Sequence, residues 1–174
     1  MIHSEVFTSK KSQGTDIIVL LDRSGSMGSI KHTMETGFQE FLNKFKHIPN
    51  TFISLFQFDD VFEEVYTGRA AASAPPLHLQ PRGMTALYDA IKRIKEYLDG
   101  IHKNKAMLII LTDGLENISK TSASEAKEII QYLQNKGVEI TYLGANQDAI
   151  LSAQAIGIVQ GKAMTWNPTK AFQT

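Results

Sequence analysis

The sequence predicts an α/β fold: a doubly wound, mostly parallel sheet with one short antiparallel strand and helices on both faces. Three observations carry that expectation. Short β-rich runs alternate with longer stretches of helical periodicity along the whole chain, as in repeated strand–helix units. Residues 17–21 and 106–111 are apolar without alternation, the mark of strands covered on both faces. Residues 51–58 and 61–66 are separated only by Asp59-Asp60. That gap is too short for a parallel crossover, so the two runs make an antiparallel hairpin.

In chain order, residues 1–14 read as a polar N-terminal arm, 15–165 as one domain and 166–174 as a C-terminal tail. The first strand spans 16–21. Ile30, Met34, Phe38, Phe41, Leu42 and Phe45 recur at helical spacing and predict a helix over about 29–46, stopped by Pro49-Asn50. After the hairpin, residues 67–83 are rich in Ala, Pro and Gly. They read as a long surface loop with a short extended piece at 77–79. Leu87, Ile91, Ile94, Leu98 and Ile101 mark the buried face of a second helix, and Lys92, Arg93, Lys95 and Glu96 form its solvated side. Ser122 with Glu125 resembles a capping box ahead of Ala126, Ile129, Ile130 and Leu133, and Gly137 suits the position just past that helix. A strand at 138–143, a short helix at 147–156 and a last edge strand at 158–165 complete the domain.

Bulk composition narrows the function. Hydrophobic residues at 43% and charged residues at 21% are ordinary globular values, and 174 residues suffice for one substantial core. Lys plus Arg equals Asp plus Glu, 18 against 18, so no global field selects nucleic acid or an anionic membrane. With no cysteine there are no disulfides and no thiolate metal sites. The first fourteen residues lack a signal-peptide core, and no apolar run approaches the ~20 residues of a membrane span. A soluble cytoplasmic protein is the expectation; oligomeric state is not legible.

Chemistry concentrates at strand ends. Asp22-Arg23-Ser24-Gly25-Ser26-Met27-Gly28 follows the first strand, bringing one carboxylate and two hydroxyls onto a pliable loop. The strand 106–111 ends in Thr112-Asp113, a second acid at a second central exit. If the hairpin lies on one side of the first strand and the later strands on the other, these exits are neighbours at the point where strand order reverses, where such sheets bind ligands. Thr85, at the entrance to the second helix, overlooks the same crevice. Asp22, Ser24, Ser26, Thr85 and Asp113 are then an all-oxygen set suited to a hard cation such as Mg2+, with Mn2+ a possible substitute. An ion bound mainly by neutral hydroxyls still attracts an outside carboxylate. Glu116 and Asn117 either reach the rim of the crevice or are solvated loop residues; Asp59-Asp60 reads as a hairpin turn and Trp166 as a packing anchor. The histidines have no partner at ligand spacing.

Asp22-x-Ser24-x-Ser26, Gly83-x-Thr85 and Thr112-Asp113-Gly114 together resemble the metal-ion-dependent adhesion site of von Willebrand factor type A domains. The match covers roughly 15–165 in the family's order. The stretches 83–89 and 141–148 look more like stand-alone bacterial and bacteriophage members, with Met84 where the family often has glycine. The resemblance implies direct Mg2+ contact by Ser24, Ser26 and Thr85, and contact through water by Asp22 and Asp113. It implies a protein partner whose Asp or Glu completes the octahedron, and no enzymatic activity.

Alternatives remain at this stage. A phosphoryl-transfer or hydrolytic enzyme could use the crevice, but the second aspartate of a haloacid-dehalogenase pair is here Ser24. The glycine needed at position 22 for a serine-nucleophile elbow is absent, and no Walker-type Gly-Lys pair follows. A structural domain with a vestigial site is the third reading.

Overall fold

The computed structural model describes residues 14–101, 104–113, 116 and 118–159, together with the backbone of 163–165. The arm up to residue 13, Gly114, Asn117 and the tail 166–174 with Trp166 lie outside the described residues. The elements run β1 (Thr15–Asp22), α1 (Lys31–Phe45), β2 (Thr51–Phe58), β3 (Phe62–Ala70), α2 (Leu87–Gly100), β4 (Lys105–Thr112), α3 (Ala123–Asn135), β5 (Glu139–Gly144), α4 (Gln147–Ala155) and β6 (Ala163–Thr165). Short 3-10 turns occupy Gly25–Ile30 and Ala71–Ser73.

The strands form one sheet in the order β3-β2-β1-β4-β5-β6, parallel throughout except for the β2–β3 hairpin. The doubly wound expectation is met, and the lack of alternation in β1 has a direct cause. Ile18 and Leu20 face a core built with α2, α3 and α4, while Ile17, Val19 and Leu21 face one built with α1. All five are shielded from water, so neither face tolerates a polar residue until Asp22. Leu21 pairs with Leu111, so the exits of β1 and β4 are adjacent.

Several boundaries differ from the sequence reading, each for a physical reason. The first helix begins at Lys31 rather than 29 because the preceding 3-10 turn tucks Met27 into the core. β3 extends to Ala70, well past Tyr66. It is an edge strand of mostly exposed polar side chains with Tyr66 its buried anchor, so no apolar run marks its second half. The Tyr66 hydroxyl donates to the Pro75 carbonyl at 3.1 Å, and the Gly68 N–H donates to Ser54 Oγ at 2.9 Å.

The long loop is therefore shorter than 67–83 suggests, and it is not wholly on the surface. Leu77 and Leu79 are buried against the α1 side, and the Leu79 N–H donates to Glu35 Oε1 at 2.9 Å. This piece belongs to no strand of the sheet.

Ser122 caps α3 by accepting the Glu125 N–H at 3.1 Å, whereas the Glu125 carboxylate pairs with Lys92 on α2 at 2.9 Å. Half of the capping box thus serves to join two helices. Gly137, at φ 85°, ends α3 in a Schellman turn, with the Val138 N–H donating to Leu133 O at 3.0 Å. The last edge strand covers only Ala163–Thr165 among the described residues. Ile158, expected at its start, instead closes α4 by donating its N–H to Ala153 O at 3.0 Å and burying its side chain. No helix among the described residues is long and apolar enough to cross a membrane.

Candidate metal centre

Asp22 is the last residue of β1 and has 0% exposure. Its Oδ1 accepts the Ser24 N–H at 2.7 Å, a turn that sends the chain sharply out of the sheet. Its Oδ2 accepts the Thr112 hydroxyl at 2.7 Å across the β1–β4 boundary. The Ser24 and Ser26 hydroxyls lie 3.1 Å apart, and Ser26 Oγ donates to Asp113 Oδ1 at 2.9 Å. Four of the five residues expected at the site are therefore linked in one hydrogen-bonded arc. Thr85, nearly buried, stands just before the cap of α2. Its segment is held to the Ser24 loop by backbone bonds from Gly25 N–H to Gly83 O at 3.1 Å and from Arg82 N–H to Arg23 O at 2.8 Å.

Burial pushes the Asp22 carboxyl above its ordinary pKa, and the nearby Asp113 charge adds to that; the Ser24 N–H and the Ser24 and Thr112 hydroxyls oppose it. Burial also raises Asp113, against the bond from Ser26. Among the described residues neither carboxylate pairs with a Lys or Arg. Two acids with desolvated oxygens, three hydroxyls and no nearby cation make a donor set that fits a divalent ion. No group of three or more His, Cys, Asp or Glu side chains surrounds a metal position among the described residues, consistent with a site made mainly of hydroxyls.

Sequence reasoning missed three supporting groups. Thr112 was noticed as part of a motif but not as the residue that grips Asp22. Glu116 is no idle loop residue. Its Oε2 accepts the Tyr88 N–H at 3.0 Å and the Ser119 hydroxyl at 2.7 Å, tying the loop after β4 to the start of α2. Asp59 is a buried hub rather than a simple turn residue: its Oδ2 accepts Arg23 Nε at 3.0 Å and Arg82 Nε at 2.8 Å. The available signal was two arginines in the two segments already assigned to one crevice.

Beneath the site lies Tyr142 of β5, fully buried, whose hydroxyl has no hydrogen-bond partner among the described residues. Burial pushes this phenol well up, with Asp22 and Tyr88 adding to the effect. An unpartnered buried hydroxyl costs more than it returns, so Tyr142→Phe is expected to match or exceed the parent's stability by about 1 kcal/mol. Urea unfolding checks this, and a loss of stability would mean that an internal water carries the hydroxyl to Asp22.

Comparison with known proteins places the fold in a family. The family model described as von Willebrand factor type A domain matches residues 17–116. Integrin alpha-X of Mus musculus is 33% identical over 143 residues, covering 69% of this chain and 12% of the integrin. This chain therefore spans only a small part of that relative. Among solved structures, the vWF domain of the type V pili tip protein Mfa5 from Porphyromonas gingivalis has a TM-score of 0.66 at 12% identity, covering 92% of this chain and 93% of that one. Proximal thread matrix protein 1 from the mussel byssus, solved with a zinc occupied MIDAS motif, has a TM-score of 0.57 at 19% identity, covering 76% of this chain and 36% of that one. The two structures share the fold. With more than half of its length matched by the family model, the chain belongs to the von Willebrand factor type A domain family.

Proposed function

We propose that this domain is a non-enzymatic, metal-dependent protein-binding module. Ser24, Ser26 and Thr85 are its direct ligands, Asp22 and Asp113 act through water, and the ion is Mg2+, replaceable by Mn2+. The partner contributes the side chain of an Asp or Glu. The observation that carries this reading is the arc from Asp22 through Ser24 and Ser26 to Asp113, with two desolvated carboxylates that pair with no Lys or Arg among the described residues. A bound cation supplies the missing positive charge and a Lewis-acidic position for a carboxylate. The protein's own part is to hold the oxygens in place, on loops that leave the ends of β1 and β4 or precede α2 and are tied together by backbone bonds.

Family membership supports the binding reading, and the zinc-occupied motif of the mussel protein supports a divalent ion at this place in the fold. Both oxygens of Asp22 already accept bonds from Ser24 and Thr112, which leaves it poorly presented as a nucleophile. Calorimetric titration of chelator-stripped protein with Mg2+ and Mn2+ tests the proposal. Saturable binding is expected in the parent and not in Ser24→Ala, with the far-ultraviolet dichroism of both unchanged. Retention of binding in Ser24→Ala, or its absence from the parent, would refute the site.

A further inference from the structure

We propose that Asp59, gripped by Arg23 and Arg82, is a positioning residue that sets where Thr85 stands relative to Ser24 and Ser26. This inference rests on the metal-site reading above and concerns how many protein oxygens the ion receives. Asp59 belongs to neither ligand loop. It follows β2 directly, at the hairpin turn, and it reaches both loops.

The geometry is that of a three-way joint. Asp59 Oδ2 accepts Nε of Arg23 at 3.0 Å and Nε of Arg82 at 2.8 Å, while Oδ1 accepts the Val61 N–H at 2.6 Å. Its backbone carbonyl accepts the N–H of Ala86, the residue after Thr85, at 2.9 Å. Arg23 sits between the expected ligands Asp22 and Ser24. Its N–H donates to Phe58 O and its carbonyl accepts the Arg82 N–H, both at 2.8 Å. The Ser24 and Thr85 loops are thus joined to each other by backbone bonds, and each is joined to the hairpin turn by both backbone and side chain.

Two details argue that the joint sets a distance as well as adding cohesion. Arg23 is 6% exposed, and a buried guanidinium needs charged partners close by, here the buried Asp59 and the half-exposed Glu63. Gly83 runs at φ 67°, and a Cβ there would meet the Asp60 carboxylate, so the Thr85 loop lies close against side chains of the turn. Any shift of Asp59 is passed to Thr85 through Arg82 and Ala86 with little slack. Outer partners of this kind commonly govern metal affinity without touching the metal.

The test uses Arg82→Gln, whose side chain is 61% exposed, so that its replacement is expected to leave the fold intact. Parent, Arg82→Gln, Thr85→Ala and the double variant are compared by Mn2+ paramagnetic resonance for affinity and by water-proton relaxation for inner-sphere hydration. Amide exchange at Ala86 is followed in the metal-free proteins. Arg82→Gln is expected to weaken Mn2+ about tenfold. It should also raise the relaxation per bound Mn2+ as Thr85→Ala does, because water replaces the Thr85 hydroxyl, and it should speed Ala86 exchange. The double variant is then no weaker than Thr85→Ala alone, since both changes remove the same contact. Unchanged hydration in Arg82→Gln, or losses that add in the double variant, would overturn the positioning role while leaving the metal site standing. A parent that fails to bind Mn2+ overturns both.

Discussion

Replacing Asp59 with alanine is expected to lower the domain's stability by about 3 kcal/mol, read as a fall in the urea midpoint with an unchanged slope. The substitution strands the guanidinium of Arg23, which is 6% exposed, beside a single remaining partner, Glu63. It also removes the acceptor for the Val61 N–H and for Arg82. Glu63 keeps the loss at the low end of the range for a broken buried pair. The pH dependence has a definite sign. Burial alone would raise the Asp59 carboxyl, but the bonds from Arg82 and Val61 and the charges of both arginines outweigh it and hold the group below the ordinary 3.8. Its folded form therefore binds protons less readily than its unfolded form. The contribution is complete above 3.8 and is lost as pH falls from there towards the lower folded value. The stability gap between parent and Asp59→Ala should accordingly narrow in acid; a gap that widened would contradict the clamp.

Asp22→Asn is expected to separate stability from binding. Calorimetry should show Mg2+ and Mn2+ affinity reduced by about 100-fold, because the change removes charge from the most buried acid of the arc. Unfolding of the metal-free protein should show no loss, and a gain of up to about 1 kcal/mol, since an amide does not carry the desolvated charge. The amide oxygen still accepts the Ser24 N–H, and its NH2 can donate to Thr112 Oγ1. A variant that lost both stability and metal would assign Asp22 a structural role. One that kept both would remove the site from the crevice.

The order in which these features became legible follows the range of the forces behind them. β1 and β4 were readable because two-sided burial leaves a continuous apolar run, and the hairpin because two residues cannot span a crossover. The proposed ligand set could be named from sequence because each member sits within a few residues of a strand or helix end, where local pattern fixes position. Asp59 was not, because a turn aspartate and a buried hub look alike until Arg23 and Arg82 arrive from 36 and 23 residues away. Glu116 belongs to the same class, since its partner at the start of α2 lies 28 residues back along the chain. The second half of β3 escaped notice for a different reason: an edge strand with one buried anchor has no hydrophobic period to read. Ile158 misled in the opposite sense, as an apolar residue that closes a helix instead of opening a strand.

The placement of β1 also governs how the domain carries mechanical load. A pull applied between the loop after Asp22 and the chain ahead of Thr15 runs along the axis of β1. That strand is laddered to β2 from Thr15↔Thr51 to Asp22↔Phe58 and to β4 from Thr15↔Lys105 to Leu21↔Leu111. Extracting it shears both ladders at once, whereas traction on β3 at the sheet's edge opens its single ladder bond by bond. Tension on the loop after Asp22 is thus borne by the most heavily cross-linked strand of the sheet.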